Sequence, residues 1–391
     1  MFAKNPTRRK VAARFVAVLS AAWLTACAPM GLPGTGGGPR VDPGEPVRVA
    51  MLLPSGSGQS SDDFLARNLE NAARLAAADL QGVEIDLRTY PTGANPQQAA
   101  SAAAQAVNEG AQIILGPLYA ESANAAGVAV AGTGINVLAF SNNPTIAGGN
   151  VFVLGPTFRN TANRLARWGL RNGLSSYYVA HSNDLQGNLG QAEIAAAVQG
   201  AGGAVVGTKS YPLSQQGILA AAQPIATEAR ATGADALFLT AGINADLPIL
   251  ATALPEAGLG PDLIRYMGLT RWDAAPQGLA LPGLQGGVFA VPDTATQRNF
   301  EQRYAAAYGD EPHPLAGLAY DGIAAVGALV SRGGGLGRND LTTGQGFQGT
   351  QGIFRLLPDG TNERGMAVAT IRNQQVVILD PAPRSFGGAG F

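Results

Sequence analysis

The chain has 391 residues, 46% of them hydrophobic and 14% charged, with 26 basic against 27 acidic side chains. So much apolar content excludes an intrinsically disordered chain, and the length exceeds what one compact core fills, so two folded lobes are expected. The charge balance leaves no basic footprint for nucleic acid and no polybasic patch for a membrane surface.

Residues 1–26 read as a lipoprotein signal peptide. Lys4, Arg8, Arg9 and Lys10 precede the apolar stretch Val11 to Ala22, which is shorter than the roughly 20 apolar residues of a spanning helix. Leu24-Thr25-Ala26-Cys27 resembles the bacterial lipobox, in which a peptidase cuts before the Cys and the thiol is lipidated. Cys27 is the only cysteine of the chain, so no internal disulfide can use it, and lipid attachment is its expected role. Ala28 follows it where an Asp would stand for inner-membrane retention. By resemblance to the sorting rule of enteric bacteria, this favours the periplasmic side of the outer membrane. Residues 27–46 are a Gly/Pro tether without periodicity.

From Val47 strands and helices alternate. Val47 to Leu53 is a near-continuous apolar run ended by Pro54, as in a buried parallel strand. Asp62 and Asp63 open a helix carrying Phe64, Leu65, Leu69, Ala72, Ala73 and Leu75 at helical spacing. Strands over Val83–Thr89, Ile113–Leu115 and Asn136–Phe140 then alternate with helices over Pro96–Asn108 and Ser122–Ala131. Helical intervals of this length between strands predict right-handed βαβ units and a parallel sheet.

The pattern restarts after Arg159. Helices are expected over Arg164–Arg171, Gln191–Gly200, Gln216–Thr232 and Leu247–Ala257, interleaved with strands over Ser176–Ala180, Ala204–Ser210, Ala236–Leu239 and Ile264–Gly268. Two late helices, Asn299–Tyr308 and Ala316–Ser331, precede a hairpin-like tail over Gly352–Leu357, Met366–Arg372 and Gln375–Leu379. The fold class is therefore α/β, with two doubly wound parallel-sheet lobes. The late return to β structure implies that the chain crosses between them more than once.

No enzyme is expected. The two histidines, His181 and His313, do not form a metal-ligating pattern, no cysteine remains as a nucleophile, and no Gly-x-Ser-x-Gly elbow occurs. Gly333-Gly334-Gly335-Leu336-Gly337 follows a helix, the wrong context for a dinucleotide loop. No cofactor and no metal site is expected.

Several segments carry a family likeness. The Pro54-Ser55-Gly56 loop, Ile114-Leu115-Gly116-Pro117-Leu118, Ala139-Phe140-Ser141, Tyr308-Gly309-Asp310-Glu311-Pro312 and Phe347-Gln348-Gly349-Thr350-Gln351-Gly352 resemble the type I periplasmic binding proteins. The Leu/Ile/Val-binding receptors are the best-known branch of that family. The resemblance spans about residues 47 to 380 and implies a hinge of three crossings. Lobe 1 is then 47–156 plus 291–346, lobe 2 is 157–290 plus 347–380, and 381–391 is a tail.

Ligands of open parallel sheets meet the carboxyl ends of the strands. In lobe 1 the candidate ligand-binding residues are Ser57, Gln59, Ser60, Tyr119, Glu121, Ser122, Ser141, Asn142 and Asn143. In lobe 2 they are His181, Asp184, Asn244, Thr270 and Trp272. Hydroxyls, amides and an aromatic or two suit a small polar ligand, although the same residue types cap helices and turns. Receptors for amino acids in this family hold the ligand carboxylate in the loop after the third strand. Here that loop carries Glu121, which would repel it, and Leu185 stands where an aromatic cover is expected.

Two functions are compatible with the resemblance. The favoured expectation is a penicillin-binding-protein activator, a lipoprotein regulator whose partner is a peptidoglycan synthase. The alternative is the solute receptor of an ABC importer, with an ABC permease as partner and an amino acid or related small molecule as ligand.

Overall fold

The computed structural model describes residues 38–39, 41–42 and 44–387. The expected signal peptide and Cys27 lie outside the described residues.

The first sheet is built from β1 (Val47–Leu53), β2 (Ile85–Pro91), β3 (Ile113–Leu115), β4 (Val137–Ala139) and β5 (Val151–Val153). The helices α1 (Ser60–Asp79), α2 (Pro96–Asn108) and α3 (Ala120–Val130) connect its first four strands. All its pairings are parallel, in the order β2-β1-β3-β4-β5. Six of the seven β1 residues are buried, as a strand covered on both faces requires. Helix α2 starts where Asn95 accepts bonds from Gln97 N and Gln98 N and Pro96 presets the first turn.

The second half repeats the scheme. Helix α4 (Phe158–Arg171) leads to β6 (Ser176–Ser182), α5 (Leu185–Ala201), β7 (Ala204–Tyr211), α6 (Gln215–Thr232), β8 (Ala236–Leu239), α7 (Leu247–Glu256) and β9 (Arg265–Gly268). The one-turn α8 (Pro276–Leu279) then precedes β10 (Val288–Val291). These strands run in the order β7-β6-β8-β9-β10, the order of the first sheet. Two late strands, β14 (Ala367–Arg372) and β15 (Gln375–Asp380), extend the sheet antiparallel beyond β10. The second sheet is thus mixed at one edge.

Between β10 and β14 the chain returns to the first lobe. Helices α9 (Thr294–Tyr308) and α10 (Gly317–Ser331) and the single turn α11 (Arg338–Leu341) contribute Phe300, Tyr304, Ile323, Val326, Leu329 and Leu341 to the core under β1. A small antiparallel sheet, β11 (Phe347–Gly349), β12 (Gly352–Leu356) and β13 (Asn362–Arg364), follows. Its placement corrects the expected lobe boundary. Phe347, Phe354 and Leu356 are buried in the core of the first lobe, so only β14 and β15 of the tail belong to the second sheet. The apolar face of the β11–β12 hairpin finds its partner in α10, which the second sheet lacks.

At the hinge, buried polar groups stitch the crossings together. Asn362 Nδ2 donates to Val153 O at 2.8 Å and Gly155 O at 2.9 Å, while Asn160 Nδ2 donates to Asn362 O at 2.9 Å. Asp321 on α10 pairs with Arg364 at 3.3 Å, and its other oxygen accepts from Thr350 N at 2.7 Å and Thr350 Oγ1 at 3.0 Å. Arg364 also donates to Leu154 O. Burial pushes the Asp321 carboxyl up, with Arg364 and the Thr350 donors pulling against it.

Candidate functional site

In a sheet of order 2-1-3-4-5, neighbouring loops diverge at the point where the strand order reverses, and a crevice opens at the carboxyl ends of those strands. The first lobe has that point between β1 and β3, the second between β6 and β8. The loops after these four strands form the candidate site.

In the first lobe the loop after β1 folds back onto α1. Gly56 N donates to Asp63 Oδ1 at 3.1 Å, and the half-buried Ser57 accepts from Gln59 N at 3.1 Å. Gln59 and Ser60 are exposed, and Gln59 makes no side-chain cap. After β3, Gly116 adopts φ +80°, where a side chain would meet Leu52 O. The chain then delivers Tyr119, 41% exposed, whose hydroxyl donates to Asp62 Oδ1 at 2.5 Å. That carboxylate, followed by partial burial, pushes the Tyr119 hydroxyl up to about 12. Glu121 is exposed in the first turn of α3. Ser122 beside it is buried, its hydroxyl without a partner among the described residues. After β4, Ser141 is buried and accepts from Asn143 N at 3.1 Å. Asn143 in turn caps a short turn by accepting from Thr145 N at 3.0 Å, and Asn142 is exposed.

In the second lobe the loops are more strongly tied. His181 is 8% exposed, with Nδ1 donating to Ser182 O at 2.9 Å. Asp184 caps α5, accepting from Gly187 N at 2.7 Å and Ser182 Oγ at 2.8 Å. Those bonds, the Gly187 amide first, hold its carboxyl below the usual range. Thr270 Oγ1 donates to Ala241 O at 2.7 Å, and Asn244 is exposed.

Trp272 requires a correction. It has no exposed surface and stacks on Phe289, ring centroids 5.5 Å apart, inside the second core. A ring of that size gains more by burial than it could offer at a rim, and Gly268 and Gly287 leave the space that admits it. Leu185 is 71% exposed at the start of α5, so the position in question is an open aliphatic lip.

Two contributors lay outside the sequence reading. Buried Asp246 accepts from Tyr211 OH at 2.6 Å and from Gly242 N at 2.8 Å, fixing the loop after β8. Its place four residues after Gly242 was the available signal for a cap. Asp62, read only as a helix-dipole residue, proves to be the acceptor for Tyr119. Among the described residues no group of three or more His, Cys, Asp or Glu lies close enough to hold a metal ion.

Two lobes with the same strand order, joined by polar-stitched crossings and each opening a crevice at its switch point, define a bilobed binding protein of type I architecture. The comparisons agree. The family described as periplasmic binding protein matches residues 46–375, and the chain belongs to that family. No curated protein matches the sequence.

Among solved structures, a Rhodospirillum rubrum protein provisionally described as a branched-chain amino acid ABC transporter is similar, with TM-score 0.71 and 19% identity over 86% of this chain and 100% of its own. A branched-chain amino acid ABC transporter periplasmic ligand-binding protein from Burkholderia xenovorans gives 0.64 and 18%, over 88% and 97%. An ABC transporter substrate-binding protein from Desulfitobacterium hafniense in complex with Leu gives 0.61 and 17%, over 86% and 100%. At such identities the likeness concerns the fold.

Proposed function

We propose that the chain is the solute receptor of an ABC importer, working in the periplasm and closing its two lobes on a small polar molecule. The observation that carries this reading is the repeated strand order, which sets one loop-lined crevice in each lobe. The names of the structural neighbours, several of them ABC transporter binding proteins, support it.

Charge narrows the ligand. The loops 54–63, 116–122, 140–146, 182–187, 240–246 and 269–273 carry Asp62, Asp63, Glu121, Asp184, Asp246 and Asp273. Their one Lys or Arg is Arg271, which Asp273 engages at 2.6 Å. Such a rim favours a neutral or cationic solute over a free anion.

A regulator of peptidoglycan synthesis, the function favoured by the sequence reading, becomes the second reading. Glu121 supports it, because an exposed carboxylate in the loop after β3 weakens a receptor for the carboxylate of an amino acid.

A thermal-shift screen of the full chain against amino acids, amines, aromatic acids, small peptides and peptidoglycan fragments tests the proposal. A ligand at 100 times its Kd stabilises by about 2.7 kcal/mol, a shift such a screen resolves. Stabilisation by a neutral or cationic solute is the expected result. No shift with any solute, together with capture of a peptidoglycan synthase, overturns the receptor reading in favour of the second.

A further inference from the structure

A strand at the edge of a sheet presents unpaired N–H and C=O groups, and folded chains guard such edges with charges, prolines, bulges, short strands or a covering segment. Three of the four outer edges of the two large sheets are guarded. On β2, Asp86 and Arg88 form an ion pair at 2.8 Å, and Pro91 ends the strand. β5 is three residues long, and Val153 N donates to Gly360 O at 2.8 Å, so part of that edge is covered. β7 carries Lys209, and its register against β6 shifts between Tyr177 and Tyr178.

The fourth edge, β15, differs over Gln375 to Ile378, where its register against β14 is regular; the register shifts only beyond them, at Leu379. Its sequence, Gln-Val-Val-Ile-Leu-Asp, contains no Lys, Arg or Pro. Its single charge, Asp380, is occupied by Arg164 at 3.0 Å and Arg171 at 2.9 Å. Val376 and Ile378, on one face, are 36% and 40% exposed. No described strand pairs with its outer side.

The backbone phase of this edge follows from its hairpin. β14 and β15 turn through Asn373 and Gln374, both at positive φ (50° and 62°), with Arg372 opposite Gln375. A two-residue loop of this kind makes the flanking pair a hydrogen-bonded one. By the alternation of antiparallel ladders, Val377 also bonds inward, to Thr370, while Val376 and Ile378 turn their N–H and C=O outward.

We infer that β15 pairs with β15 of a second copy, antiparallel about a two-fold axis through Val377, joining the second-lobe sheets of two chains. The segment is self-complementary in that register. Val376 of one chain faces Ile378 of the other on both sides of the axis, so the outward backbone groups satisfy one another and the exposed aliphatic side chains cover each other. A two-fold relation between copies makes such a pair antiparallel by symmetry. A second copy therefore meets in one step the backbone and the apolar requirements of this edge.

The test uses the full chain in detergent. Light scattering, after subtraction of the detergent mass, should give twice the protomer mass at about 100 µM and fall towards the protomer on dilution. I378K, which installs an edge lysine, should weaken the dimer by about tenfold or more. V377C should form a disulfide-linked dimer on mild oxidation, because paired residues on the axis stand about 4.5 Å apart at Cα, within the span of a disulfide. V206C on the guarded β7 edge, at a residue 36% exposed and so more accessible than the half-buried Val377, serves as the control, and Cys27 is common to both variants. A protomer mass at every concentration, a dimer indifferent to I378K, or V377C cross-linking no faster than V206C overturns the inference. Should I378K fail to fold, the cysteine pair decides alone.

Discussion

Asp321 and Arg364 at the hinge are almost wholly buried, each bonded to more than one partner. Tyr119 and Asp184 at the crevices work in partly open surroundings, the first tied to Asp62 and the second to the first turn of α5. Polar side chains thus serve two ends in one molecule. At the hinge they replace water and hold several chain crossings in register. At the rim they shape loops while leaving other groups, among them Gln59, Glu121, Asn142 and Asn244, free to meet a solute. The contrast shows that a wholly buried ion pair marks the part of this fold that must keep its geometry, and that half-exposed polar groups mark the proposed ligand crevices.

Breaking the hinge pair should have the largest effect. D321N leaves Arg364 buried without its counter-charge, and a loss of about 3–5 kcal/mol in urea denaturation is expected. The double variant D321L/R364M removes both charges and should lose less than D321N alone. A loss under about 1 kcal/mol in D321N would place the hinge and the rim on the same footing.

The cap at Asp184 comes next. D184A should cost about 1 kcal/mol at pH 7. The folded state holds this carboxyl below its ordinary value, which is about 3.9. The charged cap therefore stabilises above that value, and its contribution is lost as pH falls through the depressed folded one. The gap between wild type and D184A should accordingly close in urea titrations taken from pH 5 to pH 2; a gap independent of pH would remove the charge from the account.

The smallest effect on stability belongs to Tyr119. Y119F deletes a hydrogen bond at a residue 41% exposed and should change stability by less than about 1 kcal/mol. It should nevertheless alter the affinity for whichever solute emerges from the screen, measured by calorimetry. A stability loss as large as that of D321N would break the contrast from the other side.

The β/α alternation was legible because strands such as β3 and β8 are continuous apolar runs and the long helices between strands repeat their apolar positions at their own period. Pro96–Asn108, Ile113–Leu115 and Ala236–Leu239 have the bounds expected from their residues. Val151–Val153 and Val288–Val291 escaped, being three and four residues long among turn-forming neighbours. The lobe to which β11 and β12 belong depends on contacts with α10, which no local pattern encodes.

At the site, the strand ends were legible and the duties of individual residues were not. Ser, Asn and Asp cap turns and contact ligands with the same atoms, and Asn143 and Asp184 turned out to serve as caps. Trp272 was misplaced because an aromatic in a loop reads alike whether it points to solvent or to the core. Asp321 stood in a recognisable segment, but its role needed Arg364 and Thr350, which lie 43 and 29 positions away.

The first core also sets the order in which the molecule can be made. Tyr304 donates to Asn68 Oδ1 across 236 positions, and His313 N bonds the same oxygen across 245. The parallel strands of the first lobe are complete by residue 153, yet of the helices that cover one side of them only α1 comes early, and the others begin at Thr294. Half-built, that lobe would leave the face of Val49, Met51 and Leu115 covered by α1 alone, where the finished core adds Phe300, Ile323 and Val326. Closure of such distant contacts is entropically slow. The N-terminal lobe therefore cannot mature first, and an emerging chain needs its apolar strands shielded from aggregation until the last quarter of the sequence arrives.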